Sequence, residues 1–594
     1  MRKKFRKMLV FGMIFVMLAA MIVIIVPDDV SAYRSRGKII ITANVGPNGF
    51  VAQGGASGGG TKGNPYILYN YEIDAGGAGS CISISGTTAY FKIIQCKLYN
   101  SGGMATDSGI KLIDVQNYLQ INDTIIYNCE YGIYLDNSPG QTIKEYIGIH
   151  DNEIYNNGMD GLYILNCGEH KIYSNEIYNN GNNGIYLKDS DDNTINNNEI
   201  YGNDDNGIRM RDVDDNTIGP DNDIHENGYS GTYRNGIYMR YCLRNTIKEN
   251  WIYNNEENGI KMYLCNDNNI YADRNTIKKN VITNNQDYGI YFDQSHNNII
   301  QDHHYDYING YSGIIGNWVG GIYFDDSNNN EIKNNYLYLN PDTSIHLFNC
   351  DGLIGPNTIS GNEITTDHSP SIGIYLQTSD NHMVDSNWIY STYTFKCIYL
   401  LASNGNDINL NTCNNLLPWH NPSYGIYLEL SGGSSTNFIH GNSVTGNWEG
   451  IYLKESDFND VYDNYIQQNN RGITLIQDCD NNDIYDNDIF YNTKYGTKII
   501  GCGSNTIYNN NFIGNNGATP VYNPANIQAY DNGGLGANSW DAGSSVGGNY
   551  WNDWTSPDNN GDGYVDFPYL LDGITPPPPP FFPAQDNWPS TTPY

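Results

Sequence analysis

The chain has 594 residues, with 31 lysines and arginines against 65 aspartates and glutamates, for a formal net charge of −34. A surface this acidic repels nucleic acid and anionic lipid, so no nucleic-acid partner is expected. The cysteines number eleven, an odd count, and five of them fall in the compact column described below, which argues against a disulfide framework; with no C-x-x-C pair there is no zinc or redox motif, and they read as buried thiols.

Residues 1–32 open with Arg2, Lys3, Lys4, Arg6 and Lys7, continue through the apolar run MLVFGMIFVMLAAMIVIIV and end in Val30-Ser31-Ala32. This is the layout of a secretion signal with a small-residue cleavage site. The apolar run is 19 residues long, enough to span a bilayer, so an uncleaved anchor is the alternative and the only membrane contact expected. Either way the rest of the chain belongs outside the cytoplasm, secreted or at the cell surface. Losing this segment, with five cations and two anions, takes the charge from −34 to −37.

Residues 33–80 include the loose stretch GGASGGGTKGNP and then YILYNYEI. They are assigned to an N-terminal cap, because a stack of strands must shield its open end from other chains. From residue 81 to 513 one phrase recurs. The stretch from Asn175 to Val213 holds it twice, with Gly184 and Gly207 as matching points 23 residues apart. Taking that glycine as register zero places sixteen copies from Gly109 to Gly496, at intervals of 22 to 32, with Ser344 and Cys397 as substitutes. Repeats of this length mean a solenoid. Apolar residues alternate with polar ones, as in Ile185 and Leu187, and no copy holds a helical run, so each copy is one coil of a β-helix. Asn and Gly tolerate the left-handed backbone of tight corners, which explains their place between strands.

Register supplies a second argument. Six residues after the zero point, fifteen of the sixteen copies carry Ser, Cys or Val, among them Ser190, Val213, Cys242 and Cys265; Asp478 is the exception. A column of compact residues fits an interior corner stacked at about 4.8 Å per coil, giving a rod roughly 80 Å long. Ile at plus one and Leu, Met or Phe at plus three form the inner ladders. Longer intervals imply loops around Gly228–Asn235 and Gln301–Trp318, where a solenoid carries specificity. Residues 514–574 form a separate module rich in Trp, Gly and Asp, and residues 575–594 a proline-rich tail with Pro576 to Pro580 as a stiff spacer.

The repeated N-x-I-Y-x-N-x-x-G-I-Y-L, the entry GTKGNPYIL and the ending GGNYWNDW…DNNGDGYVDFPY together resemble secreted NosD-like proteins, common in archaea. The resemblance implies an all-β fold: a right-handed, single-stranded parallel β-helix of about 16–19 coils with an N-terminal cap and a small C-terminal module. It also links some members to copper delivery and the wider fold to proteins that bind or cut polysaccharides. Copper sites want clustered Met, His or Cys. Here Met210, Met239 and Met262 sit at plus three as core residues and His303-His304 stands without companions, so copper is not the expected cofactor.

Hydrolases of pectin on this scaffold resemble one another through N-T-D, D-D, G-H-G and R-I-K; N-T-I replaces the first here, and G-H-G and R-I-K are missing. A cationic strip is more promising. Lys188, Arg209, Arg211, Arg240 and Lys261 fall at plus two and plus four of four consecutive copies, flanked by Asp189, Asp212, Asp214 and Asp215. Lys188, Arg209 and Lys261, with Tyr186 and Tyr238, are the glycan-binding candidates; Arg211, Arg240, Asp212 and Asp215 are the catalytic ones for a calcium-assisted lyase or epimerase. The competing reading is a solvated face whose charges neutralise each other. Tyrosines fill the rest of the plus-two column, and others follow each N-x-I, including Tyr155, Tyr178, Tyr201 and Tyr253. Such rings stack on sugars or on another protein, or simply along their own ladder.

In the C-terminal module Asp558, Asn560, Asp562, Tyr564 and Asp566 alternate around Gly563, as the ligands of a structural calcium loop do. Position twelve is Tyr569 where a bidentate Glu belongs, so a bare Asx-Gly turn is the alternative. The sequence thus points to an extracellular rod with a structural or binding role toward carbohydrate or a surface protein. A lyase or epimerase of acidic polysaccharide is the second reading and copper delivery the third.

Overall fold

The computed structural model describes residues 33–138, 148–266, 274–303, 313–366, 371–393, 395–416, 423–433, 435–533, 538–572 and 584–594. The secretion signal, His304 and the run Pro576–Pro580 lie outside the described residues. Three long parallel sheets run side by side, each taking one strand from every coil. One coil reads Glu176–Tyr178 on the first face, Ile185–Lys188 on the second and Thr194–Asn196 on the third, and the next begins at Glu199–Tyr201. Register between coils is residue for residue: Ile185 pairs with Ile208, and Leu187 with Met210.

Alternation along the strands places the predicted inner ladders inside. Ile185, Ile208, Ile237 and Ile260 are fully buried, and so are Leu187, Met210, Met239 and Met262. The methionines therefore pack the core, as their register predicts. The zero-point glycine is required by a close approach. A Cβ on Gly184 would stand 2.5 Å from Ile200 Cγ2 and 2.7 Å from the carbonyl oxygen of Gly207.

The compact column is buried, with one correction. Gln477 and Asp478 both take left-handed backbone at that corner. The doubled corner slips the register by one, so Cys479 rather than Asp478 points inward, its thiol meeting the backbone N–H of Ser456. A second correction concerns the cysteines. Nine are free and buried, but Cys397 and Cys413 form a disulfide. Cys397 sits at the zero point and Cys413 on the first face, so their Cα atoms approach to 5.8 Å across an interior corner.

Asparagine does more than turn corners. In Asn179-Asn180 the first residue is left-handed, with φ 54°, while the second is wholly buried. The buried amides form ladders that run along the rod. Asn152, Asn175, Asn198, Asn222 and Asn250 each donate from Nδ2 to Oδ1 of the next coil, at 2.8–3.0 Å. Their backbone N–H groups accompany the side chains, and each amide also reaches a carbonyl in the preceding coil, as Asn198 reaches Ile172. The amides of these five asparagines are thereby satisfied, which is the condition for burying them. His303 takes an asparagine's place in this ladder, facing Asn280 and Asn335. His382 does so in another, between Asn357 and Asn406.

Strand pairing extends past both ends of the predicted coil region. Arg34–Ser35 and Ile39–Ile41, within the stretch assigned to the cap, pair with Tyr71–Asp74 and Ile82–Ser85. The short helix Phe50–Gly54 then closes that end of the core, with the Phe50 ring against Tyr66 and Phe91. At the other end Trp551 lies between Phe512 and Tyr569 at 4.2 and 4.0 Å.

Candidate functional site

The cationic strip assembles on the outside of the second face. Pairing aligns Tyr186, Arg209, Tyr238, Lys261 and Tyr291 in one row, and Lys188, Arg211, Arg240 and Tyr263 in the row beside it. Rings and cations therefore alternate over five coils in the first row. The Arg209 guanidinium lies 4.8 Å from the Tyr186 ring, 5.0 Å from Tyr233 and 5.9 Å from Tyr238. Lys261 sits 4.7 Å from the ring of Tyr291, and Arg240 4.7 Å from Tyr241 and 5.2 Å from Tyr263. Cations over ring faces are held there by the ring quadrupole. Buried Nε of Arg209 donates to no protein acceptor.

Tyr233 was not singled out by the sequence. It comes from the predicted loop Gly228–Asn235, whose backbone N–H groups at Thr232 and Tyr233 are held by Asp205 Oδ1. The loop lays the Tyr233 ring on Tyr238 at 5.1 Å and leaves Tyr238 buried, at 4% exposure, so this candidate walls Arg209 and offers no face of its own to a sugar. Its length was the available signal; its docking onto Asp205 required the coil geometry.

The carboxylates of the strip are partly spent. Asp212 pairs with Arg211 at 3.1 Å. Asp214 and Asp215 both bind Arg244, which the sequence reading left out, at 3.0 and 2.9 Å. Asp189 takes the left-handed corner after Lys188. Two catalytic candidates, Asp212 and Asp215, thus face guanidinium groups. The charge-neutral reading describes these pairs; Arg209 and Lys261 have rings as contact partners, with Asp160 in the field of the first and Asp287 and Asp293 in that of the second.

A second polar cluster lies farther along the same face, unannounced by any motif. Lys396 Nζ is 3.3 Å from the centre of the Tyr399 ring and 4.6 Å from that of Tyr427. Both tyrosines donate to Glu429 Oε2, at 2.6 and 2.9 Å, while Lys454 donates to Oε1 at 2.8 Å. Burial pulls the Lys396 ammonium down to about 8 despite Glu429 nearby. One coil on, buried Glu449 accepts from Arg471 and from Thr474 Oγ1. The signal available was positional: Lys396, Tyr424, Glu449 and Arg471 share the column just before the zero point, where Asn183, Asn206 and Asn235 stand in earlier coils.

The C-terminal loop closes on itself. Asp558 accepts the N–H groups of Gly561 and Gly563 at 2.7 and 3.1 Å, Asp562 that of Tyr564, and Asp566 that of Asn559. Asn560 accepts from Asp562 N–H. The carboxylates are gathered on one exposed loop, an arrangement compatible both with a ring of oxygen ligands and with plain Asx turns.

Comparison with known proteins follows the same lines. The family model described as right handed beta helix region matches residues 108–276 and 311–466. The model described as periplasmic copper-binding protein (NosD) matches residues 221–362 and 419–556. No curated protein matches the chain. Among solved structures, the Azotobacter vinelandii mannuronan C-5 epimerase AlgE6 A-module is similar at 10% identity and a TM-score of 0.27, covering 76% of this chain and 91% of that one. The Dettilon tailspike protein (gp208) is similar at 14% identity and a TM-score of 0.26, with 64% and 62% covered. Pectate lyase Pel9A is similar at 12% identity and a TM-score of 0.22, with 66% and 82% covered. The three-faced stack, the amide ladders and a family match over more than half the residues lead to one conclusion: the chain belongs to the right-handed β-helix family, with NosD-like repeats.

Proposed function

We propose that this protein is an extracytoplasmic β-helical rod that binds an acidic carbohydrate chain along its second face. The observation that carries the reading is the seat of Arg209, walled by three tyrosine rings in a row where Lys261 repeats the motif two coils on. A periodic row of rings and cations suits a periodic ligand: rings stack on sugar faces and cations meet carboxylates. The Cys397–Cys413 disulfide supports an oxidising, extracytoplasmic compartment, as does the description of the NosD family as periplasmic.

The test is a glycan-array screen of residues 33–594, with and without calcium, repeated with Arg209→Ala and Lys261→Ala. Binding to uronate-rich glycans that falls at least tenfold in either variant supports the reading. Binding to no glycan, or binding indifferent to both substitutions, overturns it and leaves a surface protein as the partner.

A catalytic reading has one observation in its favour, the lowered ammonium of Lys396 beside Tyr399. An amine titrating near neutrality serves as a base for a proton next to a carboxylate. Unsaturated products from a bound uronate, lost in Lys396→Ala, would establish a lyase; their absence in the wild type removes it. We assign a structural calcium ion to the loop of Asp558, Asn560, Asp562, Tyr564 and Asp566, tested by terbium luminescence in Asp558→Ala. Copper delivery draws support from the NosD description alone, since Met210, Met239 and Met262 are in the core.

A further inference from the structure

One phrase of the first face breaks its own pattern. Successive coils read Glu153-Ile-Tyr, Glu176-Ile-Tyr and Glu199-Ile-Tyr, and the next reads Asp223-Ile-His. Pairing sets Asp223 beside Glu199, and His225 beside Tyr201 on one side and Tyr253 on the other. The His225 ring is stacked between those two tyrosines at 5.2 and 4.8 Å, within 12° of parallel. It cannot turn, so both nitrogens lie in a fixed plane between coils.

Neither nitrogen has a hydrogen-bond partner, although the side chain is only 10% exposed. Asp223 Oδ1 is likewise buried and unpartnered. A buried polar atom without a partner calls for an explanation, such as a water or an ion, and here three of them, on Asp223 and His225, fall in one cluster. Nε2 of His225 stands 3.8 Å from Glu199 Oε1, too far for a hydrogen bond. Two ligands of one tetrahedral ion, each bound at about 2.0–2.2 Å, stand about 3.4 Å apart, so the exposed Glu199 side chain closes by a few tenths of an ångström around an ion. Donor atoms of Glu199, Asp223 and His225 all lie within 4.8 Å of one another. The Tyr253 hydroxyl is next to Asp223, placed to orient that carboxylate.

We propose that Glu199, Asp223 and His225 form a binding site for a divalent transition-metal ion of the zinc type. One imidazole and two carboxylates are the hard-to-borderline donors that Zn²⁺ takes, and they compensate its charge. Three protein ligands leave a coordination position open on the exposed side of Glu199, so the ion keeps a water or receives an outside ligand. Glu226 Oε1 lies 3.7 Å from Nδ1, on the far side of the ring, beyond hydrogen-bond reach but near enough to favour a proton on that nitrogen when Nε2 holds the ion. The alternative is a His225 ring that meets only Glu199 and Glu226, with no ion.

Zn²⁺ titration of residues 33–594, freed of metal by chelation, decides between them. The wild type is expected to bind one equivalent that His225→Tyr loses by at least tenfold. That variant restores the tyrosine of the neighbouring coils and keeps the stack, so an unchanged melting temperature will show that the fold is intact. Asp223→Asn is expected to weaken Zn²⁺ as well. A zinc-edge anomalous peak between Glu199 and His225 supports the site. Binding that survives in His225→Tyr, or no binding by the wild type, overturns it.

Discussion

Cys397 and Cys413 are joined at the place where other coils set a glycine against an isoleucine. Gly184 and Ile200, and Gly373 and Ile389, keep the same spacing of 16 residues. A Cβ at those glycines would fall 2.5 and 2.7 Å from the isoleucine Cγ2. Two side chains cannot pass so closely unless they are bonded. Reductant is therefore expected to destabilise the wild type, by the order of 3 kcal/mol for a loop near fifteen residues, read as a lower melting temperature. Cys397→Gly/Cys413→Ile, which restores the common pair, should melt at the same temperature with and without reductant. A reductant-insensitive wild type would show that the bond does not form.

The amide ladders end on aspartates. Asn549 donates to Asp586, Asn538 to Asp531 and Gln528 to Asp553, each at the C-terminal end of a column. A fourth column runs the other way, from Asn258 through Asn235, Asn206 and Asn183, and it ends at the N-terminal side on Asp160. A terminal residue has donors facing it and no amide beyond it, which suits a carboxyl group, whose two oxygens both accept. Asp586→Asn keeps one acceptor oxygen and turns its N–H₂ either toward the N–H groups of Asn549 and Trp551 or toward that of Trp588. It should cost about 1–3 kcal/mol, read as a lower unfolding midpoint and faster hydrogen exchange at Trp551.

The pH dependence of that cost has a definite sign. Burial raises Asp586 to about 7, against the lowering effect of its N–H donors. The folded state thus holds a proton that the unfolded state loses near pH 4, so this group's contribution is present in acid and is lost as pH rises through 7. The penalty of Asp586→Asn should shrink between pH 4 and 7. A penalty that grows over that range would mean that the donors outweigh burial.

Histidines in the interior act in the opposite direction. Burial lowers His382 to about 4, and its Nδ1 accepts from Asn357 while Nε2 donates to the Cys350 carbonyl. Its contribution is present above pH 6.5 and is lost as pH falls through about 4. His382→Asn restores the ladder residue of neighbouring coils. Its melting temperature should decline less than the wild type's between pH 6.5 and 4.

Lys396 should react early with acylating reagents. With its ammonium pulled down to about 8, the amine is largely free at pH 8.5, where ordinary lysines are still protonated. Peptide mass spectrometry across pH should give a labelling midpoint near 8 for Lys396. A midpoint near 10.5 would show that Glu429 offsets burial.

The coil period, the inner ladders and the compact column were legible because they depend on local alternation and on one repeated length. The amide ladders were not. Asn179 and Asn180 are the same residue type with different tasks, one supplying the left-handed corner and the other the buried donor. Periodicity alone does not say which faces inward. The same limit hid Cys479, where one extra corner residue moved the column. The strip was legible as two outward rows, but Tyr233 and Arg244 reach it from a loop and a corner. His225 was visible as a misfit in the Tyr201 to Tyr253 column; what it meets, Glu199, lies a whole coil away in the chain.

An asparagine that accepts from one neighbour and donates to the next leaves the same demand it receives, so an interior column is indifferent to its own length. Asp160, Asp531, Asp553 and Asp586 are not interchangeable with it, because each ends the relay. New coils can therefore be copied into the middle of the gene, between Asn180 and Asn203 for example, without disturbing either end, whereas a copy spanning a terminus would leave an aspartate facing an aspartate. The rod grows from within, and its ends are inherited once.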